Sequence, residues 1–179
     1  RIRAELLKLL ATERPATGIR RLVDTGLADL FLPELSELRA TQDDHGRHKD
    51  VYEHSLTVLE QAIELEIARR TDTDAGPDLV LRLAALLHDI GKPSTRKFER
   101  GGVTFHHHDL VGAKLARKRL RALRLDNETI ASVARLIELH LRFFGYSDQQ
   151  WTDSAVRRYV RDAGPELDRL HIITRADVT

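Results

Sequence analysis

Five residues of this 179-residue sequence are polar where a helical pattern asks for apolar side chains. His54 falls on the stripe Val51, Val58, Ala62; His88 on Leu81, Ala84, Ala85; His108 on Val111, Gly112, Leu115; His140 on Val133, Leu136, Ile137; and Asp177 on Leu170, Ile173. A sixth, Asp89, follows His88 directly. Projection at 3.6 residues per turn points the stripe residues toward the interior. One inward histidine is unremarkable, because a neutral imidazole tolerates burial once it finds a hydrogen-bond partner. A buried aspartate is costly unless a cation or a set of donors compensates it. Four histidines and two aspartates from separate helices converge most simply on metal.

The sequence has no cysteine, so disulfides and thiolate ligation are excluded and the donors are imidazole and carboxylate. That set suits one or two divalent transition ions, Mn, Fe, Co, Ni or Zn. Adjacent residues on a helix lie about 100° apart, so His88 and Asp89 can approach one ion from two sides where the helix end faces it. A divalent ion lowers the pKa of a coordinated water and polarises a phosphoryl oxygen.

The elements that must position these donors are almost all helical. Apolar spacing of three and four predicts helices at about 2–11, from Asp50 to Arg69, and at 78–90, 107–124, 127–141, 153–163 and 166–177. Thr12 is read as a cap, Pro15 as standing near a helix start and Gly26 as a break. Asp50 is read as an N-cap whose capping box Glu53 completes, and Gly91 with Pro93 as the end of the 78–90 helix. "TRKFERGGVTFH" predicts a small hairpin turning at Arg100-Gly101-Gly102. The expected fold is all-α, a multi-helix bundle with one β-hairpin.

Several polar residues have ordinary explanations. The "HHHD" run at 106–109 contributes His108, while His106, His107, His45 and His48 are read as loop residues, and Asp109 suits the dipole of a helix start. Asp72 and Asp74 lie in a turn-rich loop, and as a calcium loop they fail because the twelfth position is Leu83.

A formal charge of +1 gives no global attraction for nucleic acid. Locally, Lys114, Arg117, Lys118, Arg119, Arg121 and Arg124 crowd one helix, and Arg157, Arg158 and Arg161 another. Either set is a solvated face or a phosphate-tracking surface. No apolar run approaches the ~20 residues of a bilayer span, so no membrane partner is expected and the location is read as cytoplasmic. A chain that opens in helical period and stops at "TRADVT" without a stop signal reads as part of a longer protein.

The donor pattern resembles the HD superfamily of metal-dependent phosphohydrolases. "LLHDIGK" (86–92) carries the His-Asp doublet with the following Gly-Lys, "VYEHSLTVL" the leading His, "HHHDLVGA" a further His four before Gly-Ala, and "RADV" the closing Asp. The resemblance implies that His54, His88, Asp89 and Asp177 hold a first metal. Asp89 would bridge to a second, bound with His108 and His140. It also implies that Lys92 neutralises substrate phosphate; a cation at a helix C-terminus is the plainer alternative.

"ELLKLLATERPATGIRRLVDTGLADLFLPEL" followed by "HGRHKDVYEHSLTVL" is similar to the neck and HD region of bacterial CCA-adding tRNA nucleotidyltransferases of the actinobacterial type. This implies a neck at 1–40, an HD domain at 41–179 truncated at its C-terminal end, and a missing catalytic head. The implied substrate is a phosphomonoester or 2',3'-cyclic phosphate at an RNA or nucleotide end. Catalytic roles fall to Asp89 and Lys92. The implied partner is tRNA, reached through the parent enzyme and contacted by Lys114, Lys118, Arg117, Arg121, Arg157 and Arg158. The alternative is a tRNA-positioning module whose metal site is structural or silent.

Overall fold

The computed structural model describes residues 1–41, 50–71, 76–100, 102–144 and 151–178. Ten α-helices and one hairpin are found among them: α1 (Ile2–Leu10), α2 (Pro15–Asp24), α3 (Glu34–Arg39), α4 (Val51–Arg69), α5 (Leu79–Leu87), α6 (Lys92–Thr95), β1 (Lys97–Glu99), β2 (Gly102–Thr104), α7 (His108–Ala122), α8 (Asn127–Leu139), α9 (Asp153–Ala163) and α10 (Leu167–Asp177). The protein is an all-α bundle with one antiparallel ribbon.

α5 is the centre. It packs on α1, α4, α8 and α10, and Leu81 through Leu87 are all buried. A helix surrounded by neighbours must be apolar all round, and "LVLRLAALL" is apolar at every position but one. The exception is Arg82, only 1% exposed. Its Nε donates to Glu66 Oε2 on α4 at 2.8 Å, and its Nη1 donates to the carbonyls of Leu10 and Thr12 at 2.7 and 2.8 Å. The guanidinium thereby satisfies carbonyls left open at the end of α1 and ties the first helix to the bundle.

Asp50 caps α4, its carboxylate accepting from the Tyr52 and Glu53 amides. Glu53 carries both carboxylate oxygens against Arg20 of α2, a second tie between the N-terminal helices and the bundle. A third is Arg119 Nε, which donates to Glu34 Oε1 at 2.8 Å.

Several expectations are corrected. Thr12 does not cap α2; its hydroxyl donates back to the Leu9 carbonyl at 2.7 Å, and Arg14 precedes α2 without a side-chain cap. α5 stops at Leu87, three residues short of the expected end, and residues 88–91 form a turn. Pro93 does not end a helix but lies in the first turn of α6, where its missing N–H costs nothing. α3 and the 3-10 turn Leu27–Leu30 were too short to show a period. The expected hairpin forms, with Phe98 opposite Val103. His45, His48, Asp72 and Asp74 lie outside the described residues.

Candidate metal centre

Five helix ends and one turn deliver the six donors to one place. His54 stands one turn into α4, His88 and Asp89 follow α5, His108 opens α7, His140 caps α8, and Asp177 closes α10. His54, His88, Asp89, His108 and His140 are buried, and Asp177 is partly so. The imidazoles form a chain, with ring centroids 5.5 Å apart for His54 and His88, and 5.3 Å for both His88–His140 and His108–His140.

Three of these histidines are oriented the same way. Nδ1–H of His88, His108 and His140 donates to the carbonyl three residues earlier, Ala85 at 2.8 Å, Phe105 at 2.8 Å and Ile137 at 2.6 Å. A carbonyl only accepts, so the proton sits on Nδ1 and Nε2 is turned inward. All three Nε2 atoms are buried without a hydrogen-bond partner. A second nitrogen fixed by a carbonyl is how a metal-binding imidazole is held in the correct tautomer.

Asp89 stands between two sets of donors. Its Oδ2 is 3.3 Å from His88 Nε2 and 4.0 Å from His54 Nε2; its Oδ1 is 3.2 Å from His108 Nε2 and 3.9 Å from His140 Nε2. His54, His88 and Asp177 form one group whose ligand atoms lie within 4.8 Å of one another, and Asp89, His108 and His140 form another. Atoms sharing an ion at about 2.0–2.2 Å stand at most ~4.4 Å apart, so small rotamer adjustments suffice. The residues fit one or two divalent ions.

The electrostatics ask for positive charge. Burial opposes ionisation of Asp89, yet His88, Lys92 and His108 outweigh it and hold the carboxyl well below its ordinary range. Partial burial opposes ionisation of Asp177 as well, and its contacts with His54 at 2.9 Å and His88 at 3.4 Å outweigh it and hold that carboxyl low. His88 answers both carboxylates: burial pulls it down, but Asp89 and Asp177 raise it to about 10. His140 is lowered to about 4, first by burial and then by the charge on His88. Two buried carboxylates thus recruit a proton onto His88, the place a divalent cation would take.

Lys92 Nζ lies 2.9 Å from Asp89 Oδ2 and 5.6 Å from the Phe105 ring centroid. Helical period gives no indication of the role of Gly91. Its φ is −78°, so no left-handed cap requires glycine. A Cβ there would collide with the His108 carbonyl oxygen and come within 2.7 Å of the Gly112 amide nitrogen. Gly91 is small so that the start of α7, with His108, can rest on the His-Asp turn. Gly112 on the facing side is the signal that could have indicated this.

The basic residues are not part of this centre. Lys114, Lys118 and Arg121 are exposed on α7 and Arg117 is partly so, while Arg157 and Arg158 are exposed on α9. Both helices pack on α8. A cleft of about 780 Å³ beside Arg69, Arg70 and Arg169 lies at the far end of α4 from His54. Its cations Arg70 and Arg169 are paired with Glu66 and Asp78, which leaves it without the convergent open donors of the histidine site.

No helix among the described residues is long and apolar enough to cross a membrane. Over residues 1–38 the chain matches the family described as "Probable RNA and SrmB- binding site of polymerase A". It is 38% identical over 180 residues to an A-adding tRNA nucleotidyltransferase of Deinococcus radiodurans, covering 98% of this chain and 38% of the relative. It is 37% identical over 145 residues to a CC-adding tRNA nucleotidyltransferase of Thermus thermophilus, covering 79% of this chain and 31% of the relative. A bifunctional uridylyltransferase/uridylyl-removing enzyme of Cereibacter sphaeroides is 27% identical across 95% of this chain and 19% of its own. The chain therefore spans well under half the length of these relatives. Residues 51–179, which hold every histidine and aspartate of the centre, match the HD domain pattern throughout, and the chain belongs to the HD domain family.

Proposed function

We propose that this chain is a metal-dependent phosphohydrolase whose substrate is a phosphomonoester or 2',3'-cyclic phosphate at an RNA or nucleotide end. The observation that carries the reading is the two-sided placement of Asp89, one oxygen toward His54 and His88 and the other toward His108 and His140. In this reading His54, His88, Asp89 and Asp177 hold a first ion, and Asp89, His108 and His140 a second. The ions, drawn from Mn, Fe, Co, Ni and Zn, supply Lewis acidity toward a phosphoryl oxygen and a more acidic coordinated water.

The protein's own residues do the rest. Asp89 keeps the two donor groups in one register, and the Nδ1 hydrogen bonds of His88, His108 and His140 fix where their Nε2 lone pairs aim. Lys92 sits where it can exchange its contact with Asp89 for a substrate phosphate oxygen. Its ammonium is a compact point charge suited to that task. Residues 1–40 act as a helical neck and 41–179 as the catalytic unit, within a cytoplasmic protein whose tRNA contact depends on the longer parent.

The experiment is metal analysis of protein purified without chelator, paired with hydrolysis of nucleoside 2',3'-cyclic phosphate in Mn, Ni or Co. Asp89→Ala should abolish turnover. Absence of turnover with every divalent ion and every nucleotide ester would sink the reading.

A second reading is favoured by the exposed cations Lys114, Lys118, Arg121, Arg157 and Arg158. It makes the chain a tRNA-positioning module with a structural metal site. Phosphate-dominated binding of tRNA would then weaken steeply as salt rises, and turnover would be absent.

A further inference from the structure

The hairpin between Lys92 and His108 carries an aromatic ring that the core does not use. Phe98 on β1 is 75% exposed, although its cross-strand partner Val103 is fully buried. Directly opposed residues of a ribbon project to the same side. The ribbon's inner face is therefore covered at Val103 and open at Phe98. Phe105, two residues beyond Val103, holds its ring under the Lys92 ammonium, which touches Asp89. One face thus runs from the metal-ligand carboxylate, through Lys92 and Phe105, out to Phe98.

The open end is not simply apolar. The Arg96 guanidinium lies 4.7 Å from the centroid of the Phe98 ring. Its Nε is buried and has no hydrogen-bond partner among the described residues. Lys97 and Arg100 stand exposed beside it, against the single acid Glu99. A second protein surface seated on one ring would have to desolvate these cations. A single-stranded nucleic acid fits the set, since its bases stack on aromatic faces and its phosphates take basic partners.

We propose that Arg96 and Phe98 form a stacking subsite for a nucleobase of single-stranded RNA whose terminal phosphate is presented to Asp89 and Lys92. The direction of the strand rests on the phosphohydrolase reading above; the subsite itself does not. It would make the centre select an RNA end over a small phosphoester, because a lone phosphate reaches Lys92 without touching Phe98.

The test is binding of a short labelled single-stranded RNA ending in a 2',3'-cyclic phosphate, followed by fluorescence anisotropy at fixed salt with the full 179-residue chain. Phe98→Ala should weaken binding about five- to a hundredfold, the range for loss of one base–aromatic stack. Phe98→Trp should retain it, and Arg96→Gln should weaken it. An oligonucleotide abasic at its last positions should bind wild type and Phe98→Ala alike. Hydrolysis of glycerol 1,2-cyclic phosphate, which has no base, should be the same in wild type and Phe98→Ala. Equal RNA affinity of wild type and Phe98→Ala, or no measurable affinity of wild type, overturns the subsite. Retained discrimination by Phe98 without any turnover would overturn the hydrolase reading alone.

Discussion

The ammonium of Lys92 folds back onto the carboxylate of Asp89, Nζ to Oδ2 at 2.9 Å, across the turn that links α5 to α6. Asp89 is thereby neutralised from the solvent side by a lysine and from the interior by histidines. A lysine in this position competes with cations at Asp89 and is placed to meet an anion arriving from outside. Lys92→Gln removes both effects. Turnover of a cyclic phosphodiester should fall about a hundredfold, the scale for losing one preorganised electrostatic contact to a developing charge, while metal stoichiometry is unchanged. Loss of stability with unaltered turnover would leave Lys92 as an ordinary cation at a helix end.

Metal removal should destabilise the fold. The centre ties α4, α5, α7, α8 and α10 together, and an ion bound only by the folded state stabilises it by mass action. At a free ion concentration a hundred times the Kd the gain is about 2.7 kcal/mol, or roughly 5–10 °C in Tm for a chain of this size. Calorimetry before and after chelator treatment should show that drop, reversed by Mn or Ni, in wild type and not in Asp89→Ala. An unchanged Tm would argue that the two carboxylates are satisfied by His88 and Lys92 alone.

The donors themselves were legible in the sequence because helical period places a residue on a face without knowledge of its neighbours. His54, His88, His108, His140 and Asp177 each interrupted an apolar stripe, and the structure gathers them with Asp89 into two adjoining groups of three. What period cannot carry is contact between distant segments. Arg82 lies in the most apolar helix, yet its partners are Glu66 on α4 and two carbonyls about seventy residues upstream. Glycine commonly ends helices, so the sequence suggests a cap at Gly91, whereas its use is a close approach to α7. In the sequence Phe98 shows only a strand former's preference; its exposure depends on where the ribbon packs.

Arg82 should matter for stability and not for catalysis. Replacing it by leucine leaves Glu66 buried with fewer partners and strips the Leu10 and Thr12 carbonyls of their donor. Breaking a buried pair by removing one partner costs about 3–5 kcal/mol. Arg70 and the Asp78 amide still contact Glu66, which favours the lower figure. Urea melts of Arg82→Leu should show that loss, with metal content per folded molecule unaltered. A change under 1 kcal/mol, of the size expected for an exposed pair, would contradict the burial argument.

The same cluster sets an acid limit. Burial pushes the Glu66 carboxyl up, but hydrogen bonds from Arg82, the Asp78 amide and Arg70 outweigh it and leave its pKa lowered. A lowered folded pKa means stability that is fully present above the unfolded value, about 4.3, and lost as pH falls through the folded value. The stability difference between wild type and Glu66→Gln should therefore be constant at neutral pH and shrink in acid. A difference that grows on acidification would reverse the sign and refute the assignment.

Gly91→Ala tests how the His-Asp turn positions the second donor group. The added Cβ meets the His108 carbonyl oxygen and the Gly112 amide nitrogen, which are backbone atoms and cannot rotate away. α7 must retreat, at a cost of about 1–3 kcal/mol for overpacking. Because His108 is the first residue of α7, its Nε2 moves away from Asp89 Oδ1, now 3.2 Å distant. His54, His88 and Asp177 reach the centre from α4, α5 and α10 and keep their places. If the two donor groups hold one ion each, as proposed, the variant should fold with a lowered Tm and bind one equivalent of metal against two for wild type. Full metal occupancy in a normally stable Gly91→Ala protein would show that α7 is free to rise without disturbing the centre.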